Sequence, residues 1–170
     1  LADVRTGKLK RIFHESDPAW VVASYGKNSG LEWIRDGKAF VVLSEKDGWR
    51  RAYVYSRIGE EQTVLTPSGI DIVERALVDE ARGWFYYYAS PDNATQKYLY
   101  RTRLDGTGKP ERVTPQDQGG THDYHFSPDA QWALHTYSSF DTPPIVELVK
   151  SADHSVVRVL EDNRELRKKM

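Results

Sequence analysis

The chain has 170 residues, 39% of them apolar, no cysteine and a formal net charge of −1, which is typical of one globular unit or of part of a larger protein. The near-zero charge gives little electrostatic support for nucleic-acid binding, and no apolar run approaches the roughly 20 residues that cross a bilayer. The lack of cysteine excludes disulfides, thiolate catalysis and zinc–thiolate sites. We therefore expect no nucleic-acid partner and no membrane segment in this chain.

A repeated layout of short strands runs through the sequence. Residues 1–16 read as two strands around a Thr6-Gly7 turn, and three longer units follow at 31–66, 75–114 and 123–161. In each unit a short strand ends in an acidic turn, an apolar run and a hairpin come next, and two further strands complete the unit. Four antiparallel strands in about 40 to 50 residues are typical of one blade of a β-propeller.

The second strand of two units distinguishes a propeller from a sandwich. The runs AFVVL at 39–43 and WFYYY at 84–88 are apolar or aromatic at every position. A strand of a sandwich buries one face and therefore alternates apolar with polar residues, whereas a blade is covered by a neighbour on both sides. We therefore expect both faces of these strands to be buried, as in a propeller.

The Asp47-Gly48 pair follows the first of these strands. It predicts a two-residue hairpin turn of type I′, which needs positive φ at both central residues. We expect the aromatic side chains after the turn, those of Trp49, Tyr53 and Tyr55, to fill the gap to the next blade.

The number of units indicates an incomplete ring. Half a blade at 1–16 and three blades cannot close a circle, so the predicted fold is all-β: an antiparallel β-propeller fragment with about three complete four-stranded blades, half a blade and a short C-terminal linker helix at 163–169, capped by Asn163. The chain begins at Leu1 rather than at methionine, which suggests a piece of a longer protein. Uncovered blade faces at its ends predict an exposed apolar surface or a homo-oligomer.

The segment THDYHFS contains the residue types of a nucleophilic triad, namely His122, Asp123, His125 and Ser127. Triad members converge from separate elements, whereas neighbours on one strand alternate between its faces. The same alternation argues against a metal pair formed by His122 and His125. We therefore predict a structural role for this segment.

Several segments together carry a family resemblance: SEKDGWRRAYVY, YHFSPDAQW, TYSSFDTPP and above all VVRVLEDNRELRKKM. In their order and spacing they resemble the last blades of the N-terminal β-propeller of the dipeptidyl peptidase IV family, a branch of the prolyl oligopeptidase family of serine peptidases. The resemblance extends over essentially the whole chain. In that family the segment that matches Val159 to Asn163 ends the last blade and leads to an α/β-hydrolase domain.

The resemblance implies a parent enzyme that removes N-terminal dipeptides with proline or alanine in second place. The family's Ser-His-Asp triad lies in the hydrolase domain, and the sequence has no Gly-x-Ser-x-Gly nucleophile elbow. We therefore assign no catalytic residue, metal ligand or cofactor to this chain and expect it to be inactive alone. The implied partners are the C-terminal hydrolase domain and a peptide substrate, and the implied location is periplasmic, secreted or at the cell surface.

One segment resembles a substrate-binding element of the family. The loop AWVVASYGKNSG at 19–30 is similar to the segment that presents an aromatic side chain to the extended substrate pocket, and Tyr25 is the candidate for that role. Glu60 and Glu61 are not interpreted as the family's paired glutamates, because they fall in a predicted hairpin. The alternative function is that of a non-enzymatic binding or scaffold propeller.

Overall fold

In the computed structural model, residues 1–22 and 31–169 are described, and within them twelve strands form three four-stranded antiparallel sheets. The strands of each sheet follow one another in sequence. The first sheet contains β1 (Glu32–Ile34), β2 (Ala39–Ser44), β3 (Arg51–Ser56) and β4 (Glu61–Val64). The second contains β5 (Ile72–Asp79), β6 (Trp84–Ala89), β7 (Tyr98–Arg103) and β8 (Glu111–Arg112). The third contains β9 (Thr121–Phe126), β10 (Trp132–Ser139), β11 (Thr142–Lys150) and β12 (Val156–Glu161).

These sheets fall in the three repeated units, with small differences at the boundaries. The second and third sheets begin at Ile72 and Thr121, slightly before the starts that the sequence pattern indicates. The all-β prediction is confirmed, since the described helical residues amount to α1 (Arg164–Arg167). No helix among residues 1–22 and 31–169 is long and apolar enough to span a membrane.

The second strand of the first sheet is buried on both faces, as predicted. Val41 packs in an apolar cluster that it shares with Phe85 and Tyr87 of the second sheet. Phe40, which points the other way, packs with Phe13 of the N-terminal segment and stacks on Tyr55 at 5.6 Å between ring centroids. Successive side chains of a strand point to opposite faces, so β2 contributes to two separate cores.

The second strand of the second sheet repeats this arrangement. Phe85 and Tyr87 face the first sheet, whereas Tyr86 and Tyr88 pack against Tyr124 and its neighbours in the third sheet. Phe85 is fully buried, and the two tyrosines between the second and third sheets are nearly so. The sheets are therefore stacked side by side, each covering its neighbour.

The N-terminal segment covers the outer face of the first sheet. Its residues 1–10 form a small hairpin with one bridge, between Ala2 and Leu9, and a hydrogen bond from the Lys10 N–H to the Leu1 carbonyl (2.8 Å). After it, Ile12 and Phe13 pack against the first sheet without forming a strand. The two strands expected in 1–16 are thus reduced to this single bridge, and the first described strand begins at Glu32.

The turn between β2 and β3 differs from the prediction. It is a six-residue connection in which Gly48 has φ +88° and its N–H donates to the Glu45 carbonyl (2.9 Å), while Asp47 is not at positive φ. The type I′ assignment was therefore wrong, because a longer turn needs the left-handed region only at the glycine.

The aromatic side chains after this turn do not fill a gap to the second sheet. Tyr53 and Tyr55 pack toward the N-terminal segment instead, and Trp49 is 40% exposed.

The outer face of the third sheet is open in the described part of the chain. All six residues of β12 are exposed, including Val157 and Leu160, each with 49% of its surface accessible. Leu134 in the middle of β10 is also exposed. This is the exposed apolar surface that an incomplete ring predicts, and self-association through it stays a prediction.

The C-terminal helix is held to the third sheet by its first residues. Asn163 lies in the left-handed region (φ 49°) and makes no side-chain cap, so the capping prediction was wrong. Its side-chain amide donates instead to the Pro144 carbonyl (2.6 Å), and Asp162 accepts from the Arg164 N–H (3.0 Å). The helix therefore begins at a contact with β11.

The two-sided burial of β6 makes a testable prediction about stability. Phe85→Ala should lower the free energy of unfolding by about 3–5 kcal/mol, because it opens a cavity between two packed sheets. Phe140→Ala is the matched control, since Phe140 is fully exposed and its loss should change stability by less than about 0.5 kcal/mol. Urea unfolding of both variants measures the difference. A similar small loss in both would mean that the first and second sheets are not packed together.

Candidate functional site

A cleft of about 100 Å³ lies between the N-terminal segment and the β2–β3 connection. Its walls carry acidic, basic and apolar side chains, which include Glu15, Asp17, Trp20 and Val22 on one side and Glu45, Lys46 and Arg50 on the other. Trp20 is 74% exposed. Tyr25, the predicted substrate-binding residue, lies outside the described residues, but the described chain that leads to it, up to Val22, forms one wall of this cleft.

Hydrogen bonds hold both walls of the cleft. Asp17 accepts from the N–H groups of Ala19 (2.8 Å) and Trp20 (3.1 Å), and these bonds lower the pKa of its carboxyl group because they favour the ionised form. Across the cleft, Glu15 accepts from the Ser44 hydroxyl and from the Glu45 N–H. The N-terminal segment is thereby tied to the end of β2.

The lysine side chain of the cleft is already engaged. Lys46 donates to the Tyr55 hydroxyl (2.8 Å), pairs with Glu61, and lies 4.2 Å from the centre of the Tyr53 ring. Glu61 thus belongs to a local ion pair at the start of β4, and Glu60 lies in the exposed β3–β4 turn. The described lining combines carboxylates, two basic side chains and apolar groups, a mixture that can contact both polar and apolar parts of a ligand.

A second cluster lies between the second and third sheets and is buried. His122 (β9) and His135 (β10) are fully buried, and His154 in the β11–β12 turn is 5% exposed. The rings of His122 and His135 stack 5.2 Å apart. His125 is exposed, so His122 and His125 lie on opposite faces of β9, as strand alternation predicts.

The other residues of the THDYHFS segment do not converge with His122. Asp123 forms an ion pair with Lys97 (2.5 Å), and the Ser127 hydroxyl donates to Asp129 (2.6 Å) in the β9–β10 turn. The residues that do meet His122 come from separate elements: His135 from β10, Tyr98 from β7 and Gln118 from the connection before β9. Sequence reasoning missed them, although His135 and Glu147 are both polar residues within apolar strands, which is a signal that they face a polar partner.

A continuous chain of polar contacts joins this cluster. The His122 Nδ1 lies 2.9 Å from His135 Nε2, and His135 Nδ1 lies 3.2 Å from a Glu147 carboxylate oxygen. At its other end His122 Nε2 donates to the Gln118 carbonyl at 3.2 Å. Strand register explains the arrangement, because His135 is directly opposite Glu147 on β11.

A second branch of the network starts from Tyr124 on β9. In the sheet, His135 lies between Glu147 of β11 on one side and Tyr124 on the other. The Tyr124 hydroxyl lies 2.8 Å from His154 Nδ1 and 3.1 Å from the Thr114 hydroxyl. Thr114 in turn accepts from the Leu99 N–H (2.9 Å) on β7. This branch links the second sheet to the third.

Burial determines the charge of these groups. Desolvation lowers the pKa of His122 to about 4 and that of His135 to about 3, and it also lowers the pKa of His154. Burial raises the pKa of the Glu147 carboxyl group. The three imidazole rings are therefore neutral near pH 7, and each has one N–H donor and one lone pair.

Comparison with known proteins identifies relatives for most of the chain. Residues 1–144 match the family model described as the dipeptidyl peptidase IV (DPP IV) N-terminal region. The chain is 27% identical over 146 residues to "Probable dipeptidyl-aminopeptidase B" of Coccidioides posadasii, which covers 82% of this chain and 16% of that protein. It is 30% identical over 118 residues to "Venom dipeptidyl peptidase 4" of Apis mellifera, which covers 65% and 15%.

A solved structure shows the same fold. The crystal structure of Porphyromonas gingivalis dipeptidyl peptidase 4 superposes with a TM-score of 0.72 at 29% identity over 82% of this chain and 19% of that one. The β-propeller prediction is confirmed by this match together with the three stacked sheets. The chain spans about one sixth of the length of the curated relatives described above.

The hydrogen-bond network of Tyr124 can be tested by removing one oxygen atom. Tyr124→Phe should lower the free energy of unfolding by about 1–3 kcal/mol, because it leaves a buried histidine nitrogen without its partner. Tyr87→Phe is the matched control: the Tyr87 hydroxyl is buried and has no hydrogen-bond partner among the described residues, so its removal should be neutral or stabilising. Urea unfolding midpoints compare the two. Equal losses would show that the Tyr124 hydroxyl makes no net contribution.

Proposed function

Because the chain belongs to the family of dipeptidyl peptidase IV N-terminal regions, we propose that it is the non-catalytic propeller portion of a serine exopeptidase. In the parent protein it covers the active site of a C-terminal α/β-hydrolase domain and helps to admit peptides. The parent removes N-terminal Xaa-Pro or Xaa-Ala dipeptides from those peptides. The observation that carries this proposal is the family match over residues 1–144, which accompanies a stack of three blades.

The cleft, whose N-terminal wall extends to Val22, supports the proposed admission of peptides. An exposed tryptophan, carboxylates and a basic side chain line it, and these groups can contact both the apolar side chains and the polar backbone of an extended peptide. The β2–β3 connection, which forms one wall of the cleft, lies at one end of the first sheet. Loops at the end of a rigid scaffold are the usual place for such contacts.

We also propose a location outside the cytoplasm, that is, periplasmic, secreted or at the cell surface. The support is that one relative is named as a venom protein. The catalytic partner in the same protein and the peptide substrate follow from the family membership in the same way.

The chain of residues 1–170 should not hydrolyse Gly-Pro-p-nitroanilide or Ala-Pro-p-nitroanilide. The expected result is a rate equal to that of buffer, because the proposal assigns the chemistry to the hydrolase domain. Release of p-nitroaniline that survives repurification and scales with protein concentration would contradict it.

In the longer protein that includes the catalytic domain, Trp20→Ala should raise KM for an oligopeptide substrate about tenfold, which corresponds to ~1.4 kcal/mol. The same change should leave KM for Gly-Pro-p-nitroanilide unaltered, because in this proposal the cleft contacts the part of the peptide beyond its N-terminal dipeptide. Trp132→Ala is the matched control, since this tryptophan begins β10 and does not line the cleft. Equal effects of both variants on the oligopeptide would rule out a role of the cleft in peptide admission.

A further inference from the structure

Three potential metal ligands converge on one side of the third sheet. His135 on β10, Glu147 on β11 and His154 in the β11–β12 turn have ligand atoms that all lie within 4.8 Å of one another. The distance between His135 Nδ1 and the Glu147 oxygen is 3.2 Å. Two atoms that bind a tetrahedral zinc ion at about 2.0–2.1 Å lie about 3.3 Å apart, so this pair already has the spacing of two ligands.

The hydrogen-bond chain leaves the His135–Glu147 contact without a hydrogen. The Gln118 carbonyl can only accept, so His122 Nε2 must carry the hydrogen of that bond. The neutral His122 ring then accepts at Nδ1, and the hydrogen between the two rings belongs to His135 Nε2. His135 therefore directs a lone pair from Nδ1 at the carboxylate of Glu147. When the Glu147 carboxyl group is ionised, two acceptors face each other, and a cation between them would satisfy both.

His154 supplies a third candidate ligand atom, within 4.8 Å of those of His135 and Glu147. Its Nδ1 is bonded to the Tyr124 hydroxyl, and if Tyr124 donates to Thr114, His154 Nδ1 is the donor and Nε2 is the acceptor. His154 Nε2 is buried and has no hydrogen-bond partner among the described residues. An unpaired buried nitrogen of this kind costs free energy unless something binds to it.

From these observations we propose that His135 Nδ1, a Glu147 carboxylate oxygen and His154 Nε2 bind one zinc-like divalent transition-metal ion. Two imidazoles and a carboxylate are a ligand set that such ions accept. The surrounding bonds fit as well, because metal-binding histidines usually donate their second ring N–H to another group. Here His135 would donate to His122, and His154 to Tyr124.

The arrangement points to a structural role for the ion. It would join β10, β11 and the β11–β12 turn, which otherwise meet through the strand hydrogen bonds and the Tyr124 branch. The Glu147 side chain is 13% exposed, so the site has a route of entry from solvent. None of the three ligands lines the cleft described above, and the inference is therefore independent of the proposed function.

Isothermal titration of zinc chloride into the metal-free full chain tests the proposal. We expect one ion per chain and a rise in the thermal unfolding midpoint. His154→Asn and Glu147→Gln should each weaken zinc binding at least tenfold, because each removes one of three ligands. Asparagine is chosen at position 154 because the backbone there is left-handed (φ 58°), a conformation that asparagine tolerates. His125→Gln is the matched control, an exposed histidine outside the cluster, and should bind as the unaltered chain does.

A second measurement needs no variant and so does not depend on variant folding. Cobalt(II) bound by the unaltered chain should give the intense visible bands of a four- or five-coordinate nitrogen–oxygen site. Weak bands of an octahedral ion, or the absence of a saturable zinc site in the unaltered chain, would overturn the proposal. Zinc binding that His154→Asn retains, or that His125→Gln abolishes, would overturn it too.

Discussion

Burial of both faces of the second strands is the constraint on which the structure depends. In each of these strands, side chains that are neighbours in sequence belong to different cores. This holds for Phe40 and Val41 in β2 and for Phe85 and Tyr86 in β6. Since the apolar area on both sides must leave water to stabilise the fold, no sheet of this kind can stand alone. The N-terminal segment covers one side of the first sheet, and each later sheet covers the one before it.

The same stacking explains the polar cluster between the second and third sheets. Once the sheets are packed, His122 and His135 lose contact with water, and every donor and acceptor among them needs a partner inside the protein. The bonds to Gln118 and between the two rings meet part of this need, while His154 Nε2 has no partner among the described residues. A buried nitrogen without a partner calls for a physical explanation, and the proposed metal ion would supply one.

The cleft has a different physical character. It lies at one end of the first sheet, its residues remain partly solvated, and its charged groups pair locally, as Lys46 does with Glu61. Packing against neighbouring sheets holds the scaffold that carries the cleft, while the connections around it face solvent. This division between a rigid stack and solvated loops suits a domain that recognises a ligand without performing chemistry on it.

The sequence by itself determined the repeat, the all-β fold and the two-sided burial of β2 and β6, because apolar residues at every position of a short strand leave few alternatives. Its motifs also indicated the family. Only the tertiary structure decided that His135, Glu147 and His154 meet, that Tyr53 and Tyr55 face the N-terminal segment, and that Asn163 binds the Pro144 carbonyl. These contacts depend on strand register and on which neighbour covers which face. Neither is encoded in local periodicity, because a shift of one residue would turn every side chain of a strand to its other face.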